Sequence, residues 1–200
     1  DISERGISFS LFTNARWHNP KRLLAFLQEI PKFAGFLISL HGATAEIHEA
    51  YSGVRGSFAE TAENIRLAAR AGFNVATSTV ITQQNFAKLP ELVSLAIELG
   101  ADHAVINRYL GQPLPEIEPT PEELRHAVLS VEQMHQKNAR VKFGNCVPQC
   151  FVENSSTGCL AGVAYCAISP WGEMRPCSHS PSVVGNLLDA SIESAWRSAE

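Results

Sequence analysis

The chain has 200 residues, 45% hydrophobic and 18% charged, a mixture that suits one or two packed globular units and is too apolar for a disordered segment. Lys and Arg number 16 against 20 Asp and Glu, a formal net charge of -4, so no cation excess exists to grip a phosphate backbone or an anionic membrane. Neither nucleic acid nor membrane is expected as a partner. The longest apolar runs, such as residues 36–40, fall far short of the roughly 20 residues of a spanning helix, and the opening Asp1-Ile2-Ser3-Glu4 is no secretory signal. A cytoplasmic protein is therefore expected, and a chain that begins without Met, almost at a strand, is consistent with a piece of something longer.

Residues 6–12 are rich in β-formers and predict a first strand. Asn19-Pro20 then supplies a cap and a first-turn proline for a helix to about Ile30, which Pro31 ends. Residues 36–40 are the next strand, followed by His41-Gly42 and a loop. The run Ser57-Phe58-Ala59-Glu60 reads as a capping box opening a helix to Ala71, with Gly72 at its end. A third strand is expected over residues 74–81, a helix capped by Asn85 to Leu99, and a fourth strand over 103–109. After a proline-broken loop, Thr120-Pro121-Glu122-Glu123 opens a helix to about Lys137.

Four strand–helix units at intervals of about 30 residues predict parallel strands joined by right-handed crossovers, either doubly wound or in a β/α barrel. Periodicity does not choose between these. In both, chemistry belongs at the carboxyl ends of the strands, here Thr13-Asn14, His41-Gly42, Thr82-Gln83 and Leu110-Gly111-Gln112. From residue 141 the composition turns to glycine, proline, serine and cysteine, a small module that needs a metal or a partner to hold it. Within it, residues 164–177 read as a hairpin about Pro170-Trp171-Gly172, and Ser191 caps a short helix containing Trp196.

All five cysteines, Cys146, Cys150, Cys159, Cys166 and Cys177, lie in that module, a clustering that points to metal or redox chemistry rather than a disulfide framework. Four thiolates suit an iron–sulfur cluster or structural zinc, although paired C-x2-C knuckles of the zinc-ribbon kind are absent. The alternative for each is a free core cysteine acting as a small apolar residue. His179, two residues past Cys177, is the best histidine ligand candidate, while His41 and His48 read more readily as hydrogen-bonded structural residues. Arg108 and Gln112, beyond the last strand, read more readily as part of an exposed loop than as facing substrate or cofactor, and Trp17, Trp171 and Trp196 as packing rather than a stacking platform.

Several pieces together resemble one family. Cys159 to Cys177 reads C-x12-G-x4-C with Gly172 as the glycine. Residues 184–188, Val-Gly-Asn-Leu-Leu, are followed by Ser191-Ile192-Glu193-Ser194-Ala195-Trp196. Upstream stand Ile38-Ser39-Leu40-His41-Gly42-Ala43, His48-Glu49, Gly56-Ser57-Phe58 and Asn64-Ile65. This order is similar to the radical S-adenosylmethionine (radical SAM) enzymes with a C-terminal SPASM or twitch domain for an auxiliary iron–sulfur cluster. In that family the motif is usually Ser-Leu-Asp-Gly, and His41 stands here in the aspartate position.

The resemblance implies an α/β fold: a partial TIM-like (β/α) barrel of four units over residues 1–140, then a cysteine-rich SPASM/twitch domain with a hairpin and short helix over 141–200. It implies that Thr13, Asn14 and Ser39 contact S-adenosylmethionine and that four of Cys146, Cys150, Cys159, Cys166 and Cys177 hold a 4Fe-4S cluster, with Cys166 or Cys146 as the spare thiol. The family's C-x3-C-x2-C loop, which holds the cluster that cleaves S-adenosylmethionine, is absent from these 200 residues. The expectation is thus the C-terminal portion of an enzyme, inactive by itself, or a degenerate homologue. The complete enzyme would carry a second 4Fe-4S cluster, accept electrons from a flavodoxin or ferredoxin, and generate a 5'-deoxyadenosyl radical. Its substrate would be a ribosomally made peptide or a small cofactor precursor. The rival expectation is a non-catalytic zinc- or cluster-bearing module that binds a peptide.

Overall fold

A computed structural model describes residues 4–137, 139–144, 147 and 160–197. The chain divides into two compact units, Asp1–Val147 and Pro148–Glu200. In the first, five strands form one parallel sheet in the order β1-β2-β3-β4-β5: β1 Phe9–Thr13, β2 Phe33–Ser39, β3 Val75–Val80, β4 His103–Asn107 and β5 Val141–Phe143. The helices between them are α1 Pro20–Gln28, α2 Ala45–Ser52, α3 Ser57–Arg70, α4 Leu89–Glu98 and α5 Pro121–Gln136, with a 3-10 turn, Phe86–Lys88, leading into α4.

A strand order that follows the sequence without reversal excludes the doubly wound alternative, in which the order turns back on itself. Crossovers of one hand in an unreversed order place the helices on one face of the sheet. The burial pattern agrees. Phe36, Ile38, Leu40, Val75, Ala104 and Ile106 alternate along the strands into one apolar cluster with Leu24 and Leu27 of α1, Ile65 and Ala68 of α3, Val93 and Ala96 of α4, and Val131 of α5. Full burial of each large aliphatic side chain there contributes about 1.5–3 kcal/mol. The alternate positions, Leu37, Ser39, Ala76, Ser78, Val80, Val105 and Asn107, lie on the opposite face and keep partial exposure.

Local chemistry explains most element ends. The Asn19 side chain accepts from the Arg22 N–H, Pro20 occupies the first turn of α1, and Thr120 and Glu123 form a reciprocal capping box for α5. Four expectations need correction. The sheet has five strands rather than four, because residues 141–143 pair with β4. The stretch after Gly42 is helical: Thr44 caps α2 and Gly53, at φ 68, ends it. The expected box at Ser57 does not form. The Glu49 carboxylate, from α2, instead accepts the Gly56 and Phe58 N–H groups at 2.9 and 3.4 Å. Asn85 precedes the 3-10 turn rather than α4, which Lys88 precedes, and its side chain caps neither, being used elsewhere.

The second unit contains a three-stranded antiparallel sheet, β6 Ala167–Ile168, β7 Glu173–Arg175 and β8 Gly185–Asn186, and the helix α6 Ile192–Arg197. Ser191 Oγ accepts from the Ser194 N–H at 3.2 Å at the head of α6. Gly172 is left-handed, at φ 81, and a Cβ there would meet Asn186 Oδ1 at 2.7 Å, so the tip between β6 and β7 requires glycine. No described helix is long and apolar enough to cross a membrane.

Candidate functional site at the carboxyl ends of the strands

Parallel strands deliver four polar residues to one edge. Thr13 ends β1 opposite Ile38, Ser39 ends β2 opposite Ser78, and Val80 pairs with Asn107 at the end of β4. Asn107 Nδ2 donates to Ser78 Oγ at 3.1 Å, joining β3 to β4 on the face away from the helices. A Cβ at Gly144, just past β5, would overlap the Asn107 amide, so glycine keeps that amide in place.

The three residues expected to contact S-adenosylmethionine differ in what they have left to offer. Thr13 Oγ1 accepts from the Ala15 N–H at 3.0 Å and from Trp17 Nε1 at 3.1 Å, which leaves its hydroxyl proton. Asn14 is exposed. Its Oδ1 accepts from the Arg16 N–H at 3.1 Å, while its amide N–H groups have no partner among the described residues. The half-buried Ser39 hydroxyl has none either. The loop carrying Thr13 and Asn14 is held by α3: Thr61 Oγ1 donates to Asn14 O at 2.9 Å, Asn64 Nδ2 to Ala15 O at 2.6 Å, and Arg16 pairs with Glu60 at 2.8 Å. These bonds hold Ala15 at φ 55, an uncommon value for a residue with a Cβ.

Beside Ser39 lies a buried corner that the sequence reading treated as isolated histidines. His41 is 9% exposed and His48 3%. The His41 ring lies 4.3 Å from Tyr51 and stacks on His48 at 5.9 Å. His41 Nδ1 accepts the Val80 N–H at 3.3 Å, and His48 Nδ1 accepts the His41 N–H at 3.2 Å. Both rings accept at Nδ1, so each carries its proton on Nε2. Burial, with His48 adding a smaller push, lowers the His41 pKa to about 4; burial also lowers that of His48, partly opposed by Glu49. The corner is therefore a pair of neutral imidazoles.

Asn85, completely buried, ties this corner to β3. Its Nδ2 donates to His41 O at 2.9 Å and Val80 O at 2.8 Å, and its Oδ1 accepts the Thr82 N–H at 2.8 Å. Thr79 Oγ1 adds a bond to Leu40 O at 2.7 Å. Burial, then the neighbouring Tyr109, raises the Tyr51 pKa. Sequence reasoning missed Tyr51, Asn85, Ser78 and Asn107. Only the seven-residue spacing of His41 and His48 across a possible helix cap could have signalled the pair.

Of the five cysteines, Cys146, Cys150 and Cys159 lie outside the described residues. Cys166 and Cys177 are half-buried free thiols. Ala167 pairs with Arg175, so Cys166 and Cys177 flank the same end of the β6–β7 pair. Thiols are soft ligands, but the described residues contain no group of three ligands that could hold a metal. His179 Nε2 lies 3.3 Å from Ser178 Oγ.

No family model matches the chain. Among curated relatives, the chain is 25% identical over 186 residues to the AdoMet-dependent heme synthase of Methanosarcina barkeri, covering 82% of this chain and 53% of that protein. It is 28% identical over 166 residues to the antilisterial bacteriocin subtilosin biosynthesis protein AlbA of Bacillus subtilis, covering 80% and 36%. It is 30% identical over 182 residues to the mycofactocin maturase MftC of Mycolicibacterium smegmatis, covering 82% and 44%. The chain thus spans about half the length, or less, of these relatives. In fold it is similar to Streptococcus suis SuiB bound to S-adenosylmethionine, with a TM-score of 0.70 and 18% identity over 98% of this chain and 49% of SuiB. Motif order, fold and relatives agree in likening the chain to the radical S-adenosylmethionine enzymes.

Proposed function

We propose that the chain is the C-terminal portion of a radical S-adenosylmethionine enzyme that modifies a ribosomally made peptide. The observation that carries this reading is the alignment of four-fifths of the chain with proteins named for bacteriocin and mycofactocin maturation. A PqqA peptide cyclase aligns with 99% of it, and the SuiB fold has been seen with its precursor peptide SuiA. The heme synthase relatives support a small cofactor precursor as the second substrate class.

In this reading the five strands are an arc of a β/α barrel, and residues 141–200 include the SPASM/twitch domain. Thr13, Asn14 and Ser39 would hold the nucleoside and amino-acid parts of S-adenosylmethionine. Short polar side chains at strand ends give fixed hydrogen bonds in an otherwise apolar mouth. The chemistry that S-adenosylmethionine and a reducing cluster would supply, when bound, is homolytic hydrogen abstraction from substrate. What this chain adds is a hydrogen-bonded, uncharged corner beside Ser39. The His41–Asn85–Val80 clip fixes the β2 and β3 ends, and neutral His41 and His48 bring no charge to the mouth. Four of Cys146, Cys150, Cys159, Cys166 and Cys177, with Cys166 or Cys146 to spare, would hold the auxiliary 4Fe-4S cluster, which would bind substrate or pass electrons; a flavodoxin or ferredoxin would be the electron donor of the complete enzyme. Lacking a C-x3-C-x2-C loop, these 200 residues alone are expected to leave S-adenosylmethionine intact, the feature that favours the rival reading of a non-catalytic binding module.

Anaerobic iron–sulfur reconstitution of the chain, with iron, sulfide and zinc assayed beside the visible spectrum, tests this. About four iron and four sulfide per chain, lost in Cys159→Ala or Cys177→Ala, is the expected result. One zinc without sulfide would replace it with the binding-module reading. For the complete gene product, 5'-deoxyadenosine should appear with a precursor peptide, and turnover of a small metabolite alone would refute the peptide assignment.

A further inference from the structure

At the carboxyl edge of the sheet, one guanidinium has no counter-charge among the described residues. Arg108 follows β4 directly and is half-buried; its Nε is enclosed and meets no hydrogen-bond acceptor among the described residues. No ion pair among the described residues includes it. The loop that follows is firmly placed without its help. Tyr109 Oη donates to Gln112 O at 2.9 Å, Gln83 Nε2 to Pro115 O at 2.6 Å and Glu118 O at 2.9 Å, and Gln84 Nε2 to Glu116 O at 3.1 Å. Neutral amides and a hydroxyl hold this loop, and neither of its carboxylates, Glu116 and Glu118, pairs with Arg108.

Arginine stays charged in any protein environment, and an enclosed donor without an acceptor costs about 1–3 kcal/mol, more when charged. Arg108 contributes no bond that would offset this in the described structure. A planar fork of N–H groups matches a carboxylate in two parallel bonds, a fit that a lysine ammonium lacks. We propose that Arg108 is the carboxylate-binding residue of the strand-end site, the carboxylate being one carried by the peptide substrate. That source rests on the function proposed above; the pairing itself does not. The methionine part of S-adenosylmethionine carries the same chemistry and is the other source.

The test uses the 15N-labelled chain, with the Arg108 Nε–H resonance assigned by its loss in Arg108→Lys. The probes are N-acetyl-alanyl-alanine, its C-terminal amide, S-adenosylmethionine and its methyl ester, at constant ionic strength. A saturable shift with the peptide acid, at least tenfold weaker with the amide, is expected. A shift with S-adenosylmethionine and none with its ester or the peptide acid keeps the carboxylate site but assigns it to the cofactor. Equal response to acid and amide, or no saturable response to any probe, overturns the proposal. No iron is involved, so failure of cluster reconstitution and failure of this assignment are separate results.

Discussion

Asn85→Ala removes the clip between β2 and β3 without touching either strand. The side chain makes three hydrogen bonds of 2.8–2.9 Å, to His41 O, Val80 O and the Thr82 N–H, and Asn85 is fully buried. The His41 carbonyl and the Thr82 N–H have no other partner among the described backbone bonds, and both residues are at least nine-tenths buried. Leaving two buried backbone groups unpaired costs about 1–3 kcal/mol each, which gives roughly 2–6 kcal/mol before any cavity is counted. That is a large share of the 5–15 kcal/mol typical of a domain. Because the chain has two units, the probe must report on the first alone. Trp17, 5.1 Å from Phe36, does so in a Trp171→Phe, Trp196→Phe background. Urea unfolding followed by its fluorescence should show a lower midpoint at unchanged slope. Asn85→Asp should be at least as damaging, because it keeps the acceptor for Thr82 but turns an anion toward two carbonyl oxygens. A loss below about 1 kcal/mol in Asn85→Ala would refute the clip.

Acid should destabilise the first unit well above carboxylate pH. The folded His41 pKa is about 4 against 6.5 unfolded, so the unfolded chain binds the extra proton between those values, and stability is complete above pH 6.5 and falls as pH drops toward 4. At about 1.36 kcal/mol per pH unit, His41 alone accounts for roughly 3 kcal/mol, with His48 and His103 acting in the same direction; a urea midpoint equal at pH 7 and pH 5 would contradict this. Thr77→Val should raise stability by about 1 kcal/mol in the same assay, because the fully buried Thr77 hydroxyl has no partner among the described residues, and a loss would show that it has one. Thr13→Val should cost about 1–2 kcal/mol of stability through its two lost bonds, whereas Ser39→Ala should leave the urea midpoint within about 0.5 kcal/mol. The reverse order would mean that Ser39 is the structural residue of the two.

Legibility followed the range of the interaction that fixes each feature. The Asn19 cap and the Thr120–Glu123 box were readable because donor and acceptor lie three residues apart. The Ser57 box was readable and wrong. The Glu49 carboxylate from the preceding helix reaches the same N–H groups, a competitor that a local motif does not contain. The helix of residues 45–52 buries only His48, so it has almost no apolar stripe to detect, although its Thr44 and Gly53 ends were there to see. Residues 141–143 give too short a strand for a period-2 pattern, and only pairing with β4 makes them one. The doubly wound and barrel alternatives differ in strand order, which no periodicity encodes.

The same distinction separates the site residues that hold the scaffold from those left for a ligand. A side chain whose bonding capacity is already spent inside the protein binds a ligand only by breaking those bonds, and each exchange costs what the internal bond contributed. Asn85 spends both ends of its amide, Asn107 spends a donor on Ser78, and His41 spends its Nδ1 and both backbone groups on the β2–β3 corner. Thr13 keeps a single proton. Ser39, the Asn14 amide nitrogen and Arg108 keep donors unspent at the ends of β2, β1 and β4. In the reading proposed above, a ligand with several acceptor atoms, including an anionic end, would be met by a hydroxyl, an amide and a guanidinium on strand ends that other residues hold by hydrogen bonds. This preorganisation lets short, individually weak contacts add up, because the entropy of fixing them is lost on folding rather than on binding.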